Sequence, residues 1–289
     1  MAVIATNGLL KAQHDWIDDE LQTDPLQILI LNLMPTKLET ERQFLQRFAA
    51  VDQDVAVTFM YPTRHHFKTV ARAAVVENYV SIDQVVDQSF DGVIITGAPV
   101  EQLPFEDVDY WHEFVAISDW AHRHASQTLY ECWAAQAGLY QDFDIPKYDL
   151  PQKAFGIYSA TTVDDHSPLM SGLSAGGLLK MPQSRHTALD LPAQLPADLQ
   201  VVAANAEVGP LVLTSSEQRA VYVTGHPEYA ADTLAREYHR DRRQHRRVPV
   251  PQHYFEQSDA TVVNYSWPDA SRRFYQNWLA SLTLTKVGL

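Results

Sequence analysis

Cys132 is the single cysteine of this 289-residue chain. It lies in Leu129-Tyr-Glu-Cys-Trp-Ala-Ala-Gln-Ala-Gly-Leu139, where an extended apolar segment meets a small-residue helical pattern. A thiolate is a strong nucleophile, and a neighbouring imidazole is the usual group to lower a thiol's pKa or take its proton. His226, in Val221-Tyr-Val-Thr-Gly-His-Pro-Glu-Tyr229, is the candidate base. Glu228 follows two residues later, with Pro227 fixing φ between them. In an extended segment both side chains then project to one side, and the carboxylate selects the tautomer of the ring. The chemistry on offer is covalent catalysis by a Cys132–His226–Glu228 triad. A solitary cysteine is more often a small core residue. Here it ends a strand pattern, a helix pattern follows at once, and the Gly-His-Pro-Glu turn repeats the arrangement, which favours catalysis.

The surrounding patterns say what must position these groups. Gln27–Met34 is a near-continuous apolar run closed by Pro35, as expected of a central parallel strand covered on both faces. A helix over Lys37–Ala49, a strand over Val55–Tyr61, a strand over Asp91–Gly97, a helix over Asp107–Ala125 and a strand over Thr128–Glu131 continue the alternation. Pro62–Asn78 has no clear period and reads as an irregular surface segment. Beyond Pro146 the chain is richer in strands: Phe155–Thr162, Leu199–Ala204, Leu211–Thr214 and Ala220–Thr224, with a glycine-containing connection at Ser171–Gly177. The repeated β-then-α order predicts an α/β layered sheet, whose strand-end loops, such as Ala98-Pro-Val-Glu101, are where sites are built.

With 46% hydrophobic and 20% charged residues, the chain can bury a full core, and it reads as a single domain over 1–289 with an N-terminal arm to about residue 24 and a C-terminal extension from about residue 248. A net charge of −14 disfavours nucleic acid as a partner. The basic run Arg242–Arg247 reads first as a solvated helix end, and otherwise as a contact for an anionic group of a ligand. One cysteine excludes an intramolecular disulfide, and no leader or long apolar span is visible, so a cytoplasmic setting away from membranes is expected. The pairs His65–His66 and His122–His124 lack the spacing and acids of a zinc site; no metal is expected, and these read as surface histidines.

Five segments in order along the chain, Leu31-Asn-Leu-Met-Pro35, Thr96-Gly-Ala-Pro99, Cys132-Trp-Ala-Ala-Gln-Ala137, Ser184-Arg185 and Thr224-Gly-His-Pro-Glu-Tyr229, resemble the homoserine O-acyltransferases of methionine biosynthesis. The resemblance implies a flavodoxin-like sheet similar to class I glutamine amidotransferases, with the cysteine at a nucleophile elbow, and a homodimer. It implies Cys132 as the acyl-accepting nucleophile, His226 as the base and Glu228 as the third triad member. Lys153 and Ser184 match positions linked to acyl-donor binding, and Arg240 one linked to the amino-acid carboxylate. Taken on their own, Lys153 reads as a surface charge, Ser184 as a turn residue and Arg240 as a helical ion-pair partner.

Glu101 occupies the loop position that is glutamate in acetyl-type and glycine in succinyl-type members. The resemblance therefore implies acetyl-CoA as donor, a substrate rather than a cofactor, and a carboxylate there would repel a succinyl terminus. The implied reaction is ping-pong transfer, with the oxyanion held by backbone N–H groups of Trp133 and of Ala98 in the Gly97–Ala98 loop. Departures from the family pattern at 62–79 and at Tyr265–Phe274 leave serine open as an acceptor, since one methylene is worth only about 1–3 kcal/mol. Succinyl-CoA as donor and glutamine amidohydrolysis stay open as well. A Gly-x-Cys-x-Gly elbow, absent around Cys132, would have favoured the latter.

Overall fold

Six parallel strands, most of them rich in apolar residues, lie side by side in one sheet. The computed structural model describes residues 2–173, 179–256, 259 and 261–287. In chain order the first half contains β1 (Val3–Ala5), α1 (Leu9–Ala12), β2 (Leu26–Leu31), α2 (Lys37–Phe48), β3 (Val55–Met60), α3 (Arg72–Asn78), α4 (Ile82–Val85) and β4 (Phe90–Ile95). There follow α5 (Trp111–His124), β5 (Ala125–Glu131) and α6 (Trp133–Phe143). The second half contains β6 (Lys147–Ser159), β7 (Thr162–Val163), β8 (Lys180–Leu189), β9 (Leu199–Asn205), β10 (Gly209–Ser215), β11 (Ala220–Val223), α7 (Thr233–Arg243) and α8 (Pro268–Val287).

Among the described residues the main sheet has the order β1-β3-β2-β4-β5-β11-β10-β9-β7, parallel through β11 and antiparallel beyond. The inner order β3-β2-β4-β5-β11 is the flavodoxin-like arrangement, in which the chain reverses its direction of winding between β2 and β4. Successive residues of each central strand enter opposite cores. Ile28 and Ile30 of β2 pack with Phe44 and Phe48 of α2 and with Phe274 and Trp278 of α8, whereas Leu29 and Leu31 pack with Phe114 and Ile117 of α5 and Ala134 of α6. Burial on both faces explains why these strands read as continuous apolar runs rather than alternating ones.

Several expectations need correction. Arg72–Asn78 is helical, although Pro62–Asn78 read as irregular; its single buried residue, Val75, is too weak an apolar stripe to show as a period. The helix expected from Asp107 starts at Trp111, after a 3₁₀ turn at Phe105–Asp107. The N-terminal arm supplies β1, the sheet edge beside β3. The strand expected at Phe155–Thr162 is the longer β6, which pairs with β8 as a separate two-stranded sheet. Ser184 therefore sits within a strand, not in a turn. From residue 174 onward, the connection expected at Ser171–Gly177 lies outside the described residues. No described helix is long and apolar enough to cross a membrane.

Candidate active site

The carboxyl ends of β2, β4, β5 and β11 converge, and the last three lead into the candidate site residues. At the end of β5 the backbone turns through Cys132 at φ 52°, ψ −113°, a strained left-handed conformation for a residue with a side chain, and α6 begins with Trp133. The Cys132 amide donates to the Val223 carbonyl at 2.7 Å, locking the elbow to β11. As the first helical residue, Trp133 has an amide with no carbonyl one turn earlier to bond, so its N–H is available for an oxyanion. Ala98, buried in the loop after β4, adjoins Gly97, which packs against the Cys132 side chain.

His226 follows β11 in a turn, not the extended segment expected, and it still meets Glu228. Nδ1 and Oε1 are 2.8 Å apart, and the Tyr229 amide closes the turn on the His226 carbonyl at 3.2 Å. The His226 amide donates to the Pro182 carbonyl of β8 at 2.9 Å. β8 presses on this turn so tightly that a β-carbon at Gly225 would lie 2.5 Å from that same carbonyl oxygen, so only glycine fits before the histidine. The imidazole is stacked on Tyr229, with ring centroids 4.1 Å apart and planes 17° from parallel. Its ring also interacts electrostatically with Cys132. Burial disfavours the imidazolium, but Cys132 and Glu228 outweigh burial and raise the His226 pKa well above the usual histidine range. The triad is almost enclosed: Cys132 is 7% exposed and His226 3%.

Behind the triad lies a second carboxyl that spacing alone does not reveal. Glu131, fully buried beside Cys132, accepts the Tyr275 hydroxyl of α8 on Oε1 at 2.7 Å. Its Oε2 and the Oε2 of Glu228 are both buried and reached by no other donor, although the two side chains interact. Burial and the Glu228 charge push Glu131 well above the usual carboxylate range. The signal in the sequence was a glutamate at the end of a buried strand, where an acid has no reason to be unless it is partnered.

The three positions matched to ligand binding gather around α7, and two share a hub. Lys153 Nζ lies 3.6 Å from Glu237 Oε2 and 3.7 Å from Asp241 Oδ2, over the ring of Phe155, with its side chain only 5% exposed. It is thus a buried ion-pair member, not a surface charge. The Ser184 hydroxyl donates to Glu237 Oε2, and Tyr229 donates to Glu237 Oε1 at 2.8 Å. Glu237 therefore ties Lys153 and Ser184 to Tyr229, which is stacked on the His226 ring, a link that no local spacing reveals. Arg240 pairs with Asp241 at 2.9 Å and keeps half of its side chain exposed. Glu101 is in the loop after β4, half-buried, within electrostatic reach of Lys147 and His186.

Two further groups frame the site. Arg185 is buried and held by Gln183 Oε1 at 3.0 Å and the carbonyls of Thr187 and Val208 at 2.5 and 2.6 Å, and its charge is felt at Cys132. It lines a cavity of about 490 Å³ together with Gln136, Lys153 and Thr224. His122, expected at the surface, is mostly buried, with Nε2 3.1 Å from the Tyr130 hydroxyl. Among the described residues no group of three or more His, Cys, Asp or Glu is arranged to hold a metal ion.

A parallel sheet with a strained cysteine at a strand-to-helix elbow, beside a histidine and a glutamate that follow the neighbouring strand, has the class I glutamine amidotransferase-like fold. Solved structures of that fold superpose over nearly the whole chain. A glutamine amidotransferase from Thermotoga maritima aligns with TM-score 0.55 at 13% identity, covering 91% of this chain and 98% of its own. A glutamine amidotransferase from Methylobacillus flagellatus gives 0.54 at 10%, covering 89% and 94%. The sequence places the chain more closely. The model for homoserine O-succinyltransferase matches residues 10–287. Proteins named homoserine O-acetyltransferase are 37% identical in Bacillus subtilis (94% of this chain, 91% of that one) and 41% in Thermotoga petrophila (88% and 84%). The chain belongs to the homoserine O-succinyltransferase family, which is a family of acyltransferases.

Proposed function

We propose that this protein moves an acetyl group from acetyl-CoA to the side-chain hydroxyl of homoserine, through an acetyl-Cys132 intermediate. The observation that carries the proposal is the buried row Cys132–His226–Glu228, with 2.8 Å between ring and carboxylate and the sulfur at a strained elbow at the start of a helix. The Cys132 thiolate attacks the thioester carbon; the oxyanion is held by the N–H groups of Trp133 and Ala98; the C–S bond to CoA breaks, and the departing sulfur takes the proton carried by His226. Neutral His226 then accepts the hydroxyl proton as homoserine attacks the acetyl carbon. O-acetylhomoserine leaves and Cys132 returns to the thiolate beside a protonated ring, so the proton count closes over the cycle.

Homoserine is preferred to serine as acceptor because the relatives named above carry homoserine in their names. Arg240, with a half-exposed guanidinium, supplies the fork for its carboxylate. Glu101 supports acetyl over succinyl, in keeping with the acetyl-type names of those relatives. The homodimer and the cytoplasmic setting belong to the same reading. A two-by-two assay of acetyl-CoA or succinyl-CoA against homoserine or serine tests it, with CoA release expected only for acetyl-CoA with homoserine. Cys132→Ala is expected to lower turnover by at least about 10³-fold while the protein stays folded. Undiminished turnover by that variant, or ammonia release from glutamine, would overturn the mechanism.

A further inference from the structure

A second cavity, of about 660 Å³, opens on the far side of the segment Leu150–Lys153, which forms a wall of both this cavity and the inner one lined by Arg185. Its charged and titratable lining is Lys153, His186, Arg242, His245, Arg246 and Arg247, and every other lining residue is uncharged. No Asp or Glu lines it, in a chain whose net charge is −14. Of the acids nearby, Asp241 takes Lys153, Arg240 and Arg246, Glu237 takes Lys153, and Glu101 is within electrostatic reach of His186. Arg242 lies over the ring of Tyr238, and among the described residues neither it nor Arg247 has an ion-pair partner. The cations of the 242–247 run sit where α7 ends, a position that favours them electrostatically. That accounts for their being tolerated, but not for their facing a concavity free of acids.

We propose that this cavity docks the phosphorylated nucleotide half of the acyl carrier, the 3′-phosphate and pyrophosphate of coenzyme A, and this deepens the function proposed above, on which it rests. Several features suit that ligand. Planar guanidinium groups bind phosphate oxygens in pairs, and three of them converge here. The volume falls within the range of small-molecule sites. The shared wall gives a route for the pantetheine arm from the basic cavity past Lys153 to the inner cavity, which is lined by Gln136 and Thr224, residues of the segments that carry Cys132 and His226. His186, whose pKa is lowered by burial and by Lys153, adds a neutral ring able to hydrogen-bond there.

The test combines the substitutions Arg242→Gln, Arg246→Gln and Arg247→Gln, with each single variant as a check on folding. Three probes are used: acetyl-CoA, the acetyl thioester of N-acetylcysteamine, which lacks every phosphate, and adenosine 3′,5′-bisphosphate. The triple variant is expected to raise KM for acetyl-CoA at least about tenfold with kcat nearly unchanged, and to use the short thioester as well as the parent does. The bisphosphate is expected to bind the parent protein in a salt-sensitive way and the triple variant at least about tenfold more weakly. An unchanged KM for acetyl-CoA would overturn the assignment, as would an oligoribonucleotide outcompeting the bisphosphate, which would make the cavity a nucleic-acid contact. Should the parent consume neither thioester, the proposed reaction fails, while bisphosphate titration still decides the cavity.

Discussion

Gly97 and His226 approach so closely that a β-carbon on the glycine would lie 3.0 Å from Cε1 of the ring, and 3.1 Å from Cβ of Cys132. The imidazole has little room to retreat, because Glu228 holds one edge and Tyr229 covers one face. Gly97→Ala is therefore expected to fold normally and to lose about 10²-fold in kcat by prising ring and sulfur apart. Steady-state acetyl transfer beside a thermal melt checks this. A variant with parental kcat would show that the spacing is not critical.

Glu131 is expected to act as a neutral acid. Glu131→Gln keeps a donor for Glu228 and an acceptor for Tyr275, so activity within about threefold of the parent is expected, whereas Glu131→Leu strands two buried polar groups and costs roughly 2–4 kcal/mol of stability. Urea unfolding and turnover of the two variants decide the point. If glutamine proved as damaging as leucine, the residue would have to work as an anion.

Asp142 provides a pH signature remote from the sulfur. It accepts the Tyr222 hydroxyl at 2.5 Å, and burial pushes its carboxyl from 3.8 up to about 6. Because the folded state binds this proton more tightly than the unfolded chain, the group's contribution is complete below the unfolded pKa and is lost as pH rises through about 6. Asp142→Asn, always neutral, is expected to match the parent near about pH 3 and to exceed it by roughly 2–3 kcal/mol near about pH 8. Denaturant titrations at the two pH values measure the difference, and a gap that narrowed with rising pH would contradict the assignment.

Glu101→Gly is expected to relax donor choice. Removing a carboxylate from the donor end should raise the succinyl-CoA to acetyl-CoA ratio of kcat/KM by about 10- to 100-fold, chiefly through succinyl-CoA. Competition between the two thioesters measures the ratio directly. No change would place Glu101 outside the acyl pocket.

The strand-then-helix order and the elbow at Cys132 were legible because both are local. Strands β2 and β4 announce themselves as apolar runs, and His226 and Glu228 stand two residues apart. What stayed hidden depends on contacts between distant segments. β8 pairs with β6 across a long connection, and its Pro182 carbonyl fixes His226. Glu237 is one acid among many on a polar helix until the fold brings Lys153, Ser184 and Tyr229 onto it. Lys153 reads as a surface charge for the same reason: its partners are far away in sequence.

The hydroxyl that Tyr275 gives to Glu131 comes from α8, which follows every member of the triad along the chain. During synthesis the ribosome delivers Cys132, His226 and Glu228 well before the helix that covers that face of the sheet and reaches Glu131. A growing polypeptide thus carries the proposed triad in an unfinished, unsupported state, and competence is expected to arrive late and abruptly, when the closing helix docks.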